Sequence, residues 1–173
     1  MIRVPLTQGK FALVDDADAW VLEFNWCAHQ RWNGVWDAMR KLPNYGKGQF
    51  LHQAIMGMKN IDHIDGDALN CQRYNMRVCT QRQNSYNARK TLSPRLSEYK
   101  GVTFDRARNR WKAQIVKPNM PSGTHGCLFL GRFFTEYQAA LAYDEAARKF
   151  FGEFAAVNFP KQGEQSCLRT VQL

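Results

Sequence analysis

The sequence has few acidic residues and no long apolar run. Its 173 residues contain 15 Asp and Glu against 24 Lys and Arg, a formal net charge of +9. No stretch approaches the roughly 18 apolar residues of a membrane-spanning helix, and the first residues lack the apolar core of a signal peptide. We therefore expect a cytoplasmic protein that does not enter a membrane and whose partner is a polyanion, nucleic acid before a membrane surface.

Cysteine is scarce, and no two cysteines have the spacing of a metal-binding pair. The five cysteines stand at positions 27, 71, 79, 127 and 167, with no C-x-x-C motif among them. This spacing argues against a structural zinc site and against a disulfide scaffold. The cysteines are those expected of an intracellular protein with reduced thiols.

Positive charge is concentrated in the middle of the chain. Between Gln81 and Lys117, ten Lys or Arg residues stand against two acids, Glu98 and Asp105. A solvated helix face usually mixes the two signs, whereas this segment interleaves its cations with Tyr, Phe and Trp. The pattern favours binding to a phosphate backbone.

A polar stretch from position 60 to position 84, "NIDHIDGDALNCQRYNMRVCTQRQN", carries the candidate chemistry. It predicts a short strand ending at Asp62-His63, a polar loop, and a second strand in "MRVCT". A helix then begins near Thr80, because Thr80-x-x-Gln83 matches a capping box. The predicted order is strand, loop, strand, helix.

Four side chains of this stretch suit metal-assisted hydrolysis. Carboxylate and amide oxygens, as in Asp62, Asn75 and Asn84, are hard ligands of the kind that Mg²⁺ or Mn²⁺ prefers. A neutral imidazole, as in His63, is a good base near pH 7 and can activate a water molecule. The alternative is an ordinary turn, since Asp-Gly, Asn and His are all common in turns.

The motif "DHIDGD" followed by "YNMRVCTQRQN" resembles the HNH endonuclease family in its phage and intron-borne homing branch, which has a ββα-metal fold. The resemblance implies that His63 is the general base and that Asp62 and Asn84 bind one divalent cation, Mg²⁺ or Mn²⁺. It also implies that Asn75 ties the loop and orients His63 by hydrogen bonding. Asn87, one helical turn after Asn84, is a competing metal ligand. The same branch implies a protein encoded by a phage or mobile element and acting in a bacterial host.

The resemblance covers about residues 51 to 90 and carries further basic residues. Arg77, Arg82 and Arg89 are candidates for contact with the scissile phosphate, and roles as DNA-backbone contacts or as solvated surface residues are equal alternatives. Many relatives have paired C-x-x-C zinc sites near the motif, which this chain lacks, so we expect no structural zinc. We expect His52, on an apolar helix, to be a hydrogen-bonded packing residue.

The second half of the chain predicts three strands followed by a long helix. The strands are "YKGVTFD", "RWKAQIVK" and "CLFLGRF", and the helix "TEYQAALAYDEAARKFFG" begins at a capping box, Thr135-x-x-Gln138, and ends near Gly152. From about Tyr99 to Pro160 this half resembles the apetala-two/ethylene-response-factor DNA-binding domain, with "LGRF", "AYDEAA" and "NFP" as its most specific marks. The resemblance implies an antiparallel sheet that lies in the major groove, with the helix packed behind it.

Candidate DNA contacts follow from that resemblance and from charge. Trp111 is expected to pack under the helix. The outward-facing positions, where plant members often have other residues, are Thr103, Asp105, Gln114 and Phe129. The basic residues expected to hold DNA are Lys100, Arg106, Arg108, Arg110, Lys112 and Lys117.

The whole chain is therefore predicted to be an α+β protein with two functional parts. The predicted divisions are an HNH nuclease domain (1–90), a linker (91–98), a DNA-binding domain with a three-stranded antiparallel sheet packed on one helix (99–160), and a tail without pattern (161–173). The predicted function is metal-dependent cleavage of duplex DNA, by a monomer or by a dimer formed on DNA. The alternatives are a DNA-binding regulator with a vestigial nuclease centre, and an RNA-binding or non-specific nuclease.

Overall fold

The computed structural model contains three α-helices and several small sheets within the residues that it describes. Those residues are 1–32, 34–42, 48–88, 90, 97–118 and 126–167. The mixture of helices and small sheets agrees with the predicted α+β class. Within the described residues, no helix is long and apolar enough to cross a membrane.

The chain divides into two compact units, Met1–Asn84 and Ser85–Leu173. This division differs from the predicted boundaries, 1–90 and 99–160, because it falls inside the helix that follows the candidate site. Most of the predicted linker, residues 91–96, lies outside the described part of the chain.

The N-terminal unit is built from short antiparallel strands. Strands β1 and β2 form one hairpin, β3, β4 and β5 form a three-stranded sheet in that order, and β6 pairs with β7. Their bounds are Ile2–Pro5 (β1), Phe11–Val14 (β2), Cys27–Gln30 (β3), Trp36–Lys41 (β4), Gly48–Phe50 (β5), Ile61–His63 (β6) and Met76–Val78 (β7). Two helices, α1 (Leu51–Met56) and α2 (Gln81–Asn87), follow β5 and β7.

Local sequence signals explain where both helices of this region begin or end. Helix α1 stops at Gly57, which adopts the left-handed conformation (φ 66°) that glycine tolerates without strain. At the start of α2, the Gln83 backbone N–H donates to Thr80 Oγ1 at 3.2 Å and the Thr80 N–H donates to Gln83 Oε1 at 2.8 Å. These reciprocal bonds confirm the predicted capping box.

One apolar core holds the N-terminal unit together. It joins the inner face of the β1–β2 hairpin to α1 and to the β6–β7 hairpin, so that the candidate site rests on packed residues. Its most deeply buried members are Val4, Ala12, Val14, Val21, Ala38, Leu51 and Cys71.

The C-terminal unit contains a second antiparallel sheet and the longest helix. The sheet order is β10-β9-β8, and a short parallel pair, β11 with β12, lies near the end of the described chain. The bounds are Val102–Asp105 (β8), Arg110–Val116 (β9), Cys127–Phe133 (β10), Glu136–Phe151 (α3), Ala156–Val157 (β11) and Gln165–Ser166 (β12).

Helix α3 packs on the sheet through small side chains. Ala139 and Ala140 contact Val102 and Ala113, and Trp111 packs against the same cluster, as predicted. The helix begins at the predicted Thr135 capping box and ends at Gly152. Small residues allow the helix to approach the sheet closely.

The first part of the predicted tail, residues 161–167, makes defined contacts with the rest of its unit. Arg148 on α3 donates two hydrogen bonds to the Glu164 carboxylate, at 2.7 and 2.8 Å. Strand β12 pairs with β11, and Cys167 is fully buried. The partners of this segment are distant in sequence, so no local pattern predicts its order.

Candidate functional site

Asp62 and His63 occupy adjacent positions at the end of β6 and therefore point to opposite faces of the β6–β7 pair. Asp62 lies opposite Arg77 and His63 lies opposite Met76. Both side chains are buried, with 4% of Asp62 and 7% of His63 exposed. The strand thus gives the two candidate residues different surroundings.

Asn75 ties the loop between β6 and β7. Its Oδ1 accepts from the Asp65 backbone N–H at 3.0 Å, and its Nδ2 donates to Asp65 Oδ1 at 2.9 Å and to the Asn70 carbonyl at 2.8 Å. These bonds agree with the loop-tying role that the resemblance implies. The Asn75 side chain thus bonds to Asp65 and Asn70. Asn75 therefore acts on His63 indirectly, by fixing the loop.

His63 contacts a thiol and a second histidine. Its Nε2 lies 3.8 Å from the Sγ of Cys71, and the same Sγ donates to the Ala68 carbonyl at 3.6 Å. The His52 ring meets the His63 ring edge to face at 5.0 Å between centroids, and Phe50 stacks on the other side of His52 at 5.5 Å. The imidazole is therefore held on several sides.

Burial keeps both histidines neutral at pH 7. It lowers the pKa of His63 to about 4, with a smaller opposing effect from Asp65 and a further lowering by Arg31. It lowers the pKa of His52 to about 4 as well, and the neighbouring His63 contributes to that shift. A neutral His63 is the protonation state that a general base requires.

Arg77, predicted as a candidate contact of the scissile phosphate or DNA backbone, is bound to Asp62 in the structure. The Nε and Nη2 of Arg77 donate to Asp62 Oδ2 at 2.9 and 2.7 Å, and only 13% of the Arg77 side chain is exposed. The physical reason is the register, since opposite charges on directly paired strand residues attract. Arg77 neutralises the buried carboxylate.

Cys79 lies next to both predicted metal ligands. Burial raises the pKa of its thiol, the Asp62 carboxylate raises it further, and Arg77 and the backbone N–H of Asn84 lower it. Asn84 is exposed on α2, whereas Asn87 is 4% exposed. Cys79 therefore lies near the Asp62 carboxylate and the Asn84 backbone.

Sequence reasoning missed an ion pair near the histidines. Asp37 on β4 is completely buried, and it accepts hydrogen bonds from Nε and Nη2 of Arg31, the latter at 2.6 Å. The signal in the sequence was one acid inside an apolar strand, "VWDAM". A buried carboxylate of this kind requires a partner.

The outward face of the C-terminal sheet carries polar and basic side chains. Cross-strand pairs on this face are Thr103 with Lys112, Gln114 with Phe129, and Lys112 with Arg132. Arg132 was missed from the sequence, although alternation along "LGRF" places it beside Lys112. The face has the chemistry of a nucleic-acid-binding surface.

Asp105, one of the predicted outward-facing DNA contacts, is paired with two arginines in the structure. Its Oδ2 accepts from Arg132 Nε at 2.9 Å and lies 3.6 Å from Arg108 Nη1. The hydrogen bond from Arg132 holds the pKa of the Asp105 carboxyl below its usual range. The carboxylate thus offsets part of the positive charge of this face.

Lys100, predicted to contact a DNA phosphate, binds backbone carbonyl oxygens in the structure. Its Nζ donates to the carbonyl oxygens of Tyr86 and Ala88, both at 2.7 Å, near the end of α2. Burial lowers its pKa to about 8. A cation that binds carbonyls at a helix C-terminus serves the fold.

The remaining predicted DNA contacts are accessible to different degrees. Arg110 lies over the Phe134 ring at 4.0 Å, and Arg82 on α2 is half-buried. Arg89 lies outside the described residues. The exposed members of the predicted set are Arg106, Arg108 and Lys117.

Comparison with known proteins finds two separate similarities. Residues 56–86 match the HNH endonuclease family. The protein called uncharacterized HNH endonuclease L560, from Acanthamoeba polyphaga mimivirus, is 41% identical over 98 residues, which cover 57% of this chain and 46% of that protein.

The second similarity is to plant proteins. The dehydration-responsive element-binding protein 2E of Oryza sativa subsp. japonica is 46% identical over 63 residues, 36% of this chain and 18% of that protein. The APETALA2-like protein 2 of Oryza sativa subsp. indica is 45% identical over 65 residues, 38% of this chain and 14% of that protein. The chain spans less than half the length of each of these relatives. It combines an HNH endonuclease segment with a separate AP2-like segment, as the sequence motifs predicted.

Proposed function

We propose that the chain is a metal-dependent endonuclease of the homing type that hydrolyses phosphodiester bonds of duplex DNA. One observation carries the proposal: a neutral His63 is fixed next to Asp62, on a hairpin tied by Asn75, within the segment that matches the HNH endonuclease family. The viral source of one relative is in keeping with an origin in a phage or mobile element.

The donor atoms at the site suit a hard divalent cation. Asp62 offers a carboxylate and Asn84 an amide oxygen, and Mg²⁺ or Mn²⁺ completes such a shell with water and phosphate oxygens. Among the described residues, no three His, Cys, Asp or Glu side chains converge as a metal site, so Asn84 is needed in this proposal. When bound, the cation would polarise the phosphate and stabilise the leaving oxygen.

His63 performs the proton transfer. Its Nε2 faces the Cys71 thiol, so Nδ1 is the ring nitrogen that accepts the proton of the attacking water. Asn75 holds the loop that fixes the position of His63, and Arg77 balances the charge of Asp62 when no cation is bound.

In this proposal, the outward face of the sheet in the C-terminal unit binds the DNA. Lys112 and Arg132 are adjacent there, with Gln114 and Phe129 as candidates for contact with base edges. Phosphate contacts of this kind hold DNA without reading its sequence, and base-edge contacts supply selectivity.

Cleavage of supercoiled plasmid DNA tests the proposal. The wild-type chain should convert plasmid to nicked or linear DNA in Mg²⁺ or Mn²⁺ and not in EDTA. His63→Ala should abolish conversion while DNA binding, measured by gel shift, stays near wild type. His29→Ala is a matched control, because His29 is an exposed histidine on β3.

A DNA-binding regulator with a vestigial nuclease centre is the second candidate. The Asp62–Arg77 pair favours it, because the arginine occupies the carboxylate that a cation needs. A clear gel shift with no metal-dependent cleavage of DNA that contains the bound site would establish the regulator and reject the nuclease.

A further inference from the structure

Arg31 presents a fixed positive charge at the surface of the N-terminal unit. It directly follows β3, and its guanidinium donates through Nε and Nη2 to the two carboxylate oxygens of Asp37 on β4. The Asp37 side chain is fully buried, whereas 43% of the Arg31 side chain is exposed. Two bonds to a buried carboxylate fix the plane and direction of a guanidinium.

The ion pair belongs to the surroundings of the candidate base. Strand β4, which carries Asp37, packs against α1, which carries His52, and the rings of His52 and His63 are 5.0 Å apart. Among the causes that shift the pKa of His63, after burial and Asp65, is the positive charge of Arg31. Arg31 and Asp37 also both act on the pKa of His52. The guanidinium therefore lies within electrostatic range of both rings.

Arg31 keeps hydrogen-bonding capacity for an anion. A guanidinium has five N–H groups, and within the described residues the side chain of Arg31 donates only to Asp37. Arg77, an arginine within the motif, is 13% exposed and bound to Asp62. Arg31 is thus an accessible cation held by β4, the strand that packs against the helix carrying His52.

We propose that Arg31, held by Asp37, binds a backbone phosphate of DNA beside His63 and so positions the bond to be cut. The inference rests on the proposed nuclease function and adds to it a substrate-binding residue outside the HNH motif. A phosphodiester accepts two N–H bonds from a planar guanidinium, and a preset orientation places it for attack. Asp37 is then a positioning residue that acts through Arg31.

The chain contains a matched control for this ion pair. Arg73 donates from Nε to Asp18 Oδ2 at 2.9 Å and from Nη2 to Asp18 Oδ1 at 2.7 Å. Asp18 is 1% exposed and Arg73 is 52% exposed, much like the first pair. Asp37 lies on β4, whereas Asp18 precedes β3 and Arg73 lies in the loop between β6 and β7. Both arginines bind a buried aspartate through Nε and Nη2, and Arg73 makes one further, long bond to the Ile55 carbonyl at 3.5 Å.

The first arm of the test measures cleavage and stability together. Arg31→Ala and Arg73→Ala should lower the unfolding temperature by similar amounts, because each leaves a buried aspartate without its partner. Arg31→Ala should lower the rate of plasmid cleavage by on the order of a hundredfold, whereas Arg73→Ala should leave it within a few fold. Arg31→Lys keeps the positive charge but lacks the planar guanidinium with its paired N–H donors, so it should recover only part of the cleavage rate. Equal rates for the two alanine variants would overturn the inference.

The second arm measures binding without chemistry, in a His63→Ala background. The affinity for a labelled plasmid-derived duplex is measured across a salt series. Loss of one phosphate contact should reduce the slope of log affinity against log salt by about 0.9 in Arg31→Ala and leave it unchanged in Arg73→Ala. Identical slopes would overturn the role of Arg31 even if His63 is required for cleavage. A wild-type chain that neither binds nor cuts DNA would overturn the proposed function and this inference together.

Discussion

The Nε2 of His63 lies 3.8 Å from the Sγ of Cys71, and that Sγ in turn donates to the carbonyl of Ala68 at 3.6 Å. Burial raises the pKa of the Cys71 thiol far above its usual range, so the thiol keeps its proton. Both contacts are satisfied when the thiol donates to Ala68 and Nε2–H donates to sulfur. We therefore assign the proton of neutral His63 to Nε2, which makes Nδ1 the basic nitrogen of the ring.

Removing the Cys71 thiol should impair His63 as a general base and leave the binding of the divalent cation unchanged. We expect Cys71→Ala to lower the cleavage rate about 10- to 100-fold, the range typical for partners that orient a catalytic ligand. Cys71→Ser retains a hydroxyl donor and should recover much of the rate. The ¹⁵N chemical shifts of the His63 ring report which nitrogen carries the proton, and Nε2 should carry it in wild type and Cys71→Ser. The exposed Cys27 provides the control variant, Cys27→Ala. A protonated Nδ1 in the wild-type chain would contradict the assignment.

Lowering the pH should reduce the free energy of unfolding at pH values above those at which carboxylates titrate. Burial lowers the pKa of His52 and His63 from about 6.5 to about 4, so the unfolded chain binds protons more readily than the folded chain. The stability from neutral histidines is therefore complete above pH 6.5 and is lost as the pH falls towards 4. We expect a loss of about 2 kcal/mol for each histidine between pH 7.5 and 5.

Denaturant unfolding at several pH values measures this loss. His52→Phe removes one titrating ring and should halve the slope between pH 6.5 and 5. The lowered carboxyl pKa of Glu164, about 2, lies below the window and does not interfere. A free energy of unfolding that stays constant between pH 7.5 and 5 would show that the rings are accessible to protons in the folded state.

Arg77 should compete with the divalent cation for Asp62. Arg77→Met leaves a nearly buried carboxylate unpaired, so we expect it to lower the free energy of unfolding by about 3 kcal/mol in EDTA. Mg²⁺ should restore part of that loss, because the cation replaces the missing charge. Thermal unfolding with EDTA and with Mg²⁺ measures both effects.

Arg108→Ala is the comparison for this experiment. Arg108 is 61% exposed and lies 3.6 Å from Asp105, so its removal should change stability by less than about 0.5 kcal/mol, with no response to Mg²⁺. If Arg77→Met gains nothing from Mg²⁺ beyond what wild type gains, Asp62 is not a metal ligand.

The sheet of the C-terminal unit should bind DNA through Lys112 and Arg132. Asp105 should weaken this binding, because it pairs with Arg132. Lys112→Ala should weaken binding and reduce the salt slope by about 0.9, whereas Lys149→Ala, on the exposed surface of α3, should change neither. Asp105→Asn should strengthen binding, because it releases positive charge from Arg132 and Arg108. Gel shifts over a salt series measure these changes. Weaker binding by Asp105→Asn would instead favour the original prediction that this carboxylate contacts DNA.

Several elements followed from local sequence signals. Thr80 with Gln83 and Thr135 with Gln138 predicted two helix starts, because capping boxes need only residues three apart. Alternation and turn residues predicted the β6–β7 hairpin and the three strands of the C-terminal sheet. The resemblance to the HNH family implied that Asn75 ties the loop, and the structure shows Asn75 bonded to the loop residues Asp65 and Asn70.

Other features depended on contacts between distant parts of the chain. The sequence by itself determined the helix caps, the succession of strands and helix at the candidate site, and the identity of the chemical groups, since these depend on neighbours within a few residues. Only the tertiary structure decided that Arg77 binds Asp62, that Lys100 binds backbone carbonyls, and that Cys71 meets His63. Burial removes water from a charged or polar side chain and obliges it to find a partner, and which partner lies within reach is fixed by folding.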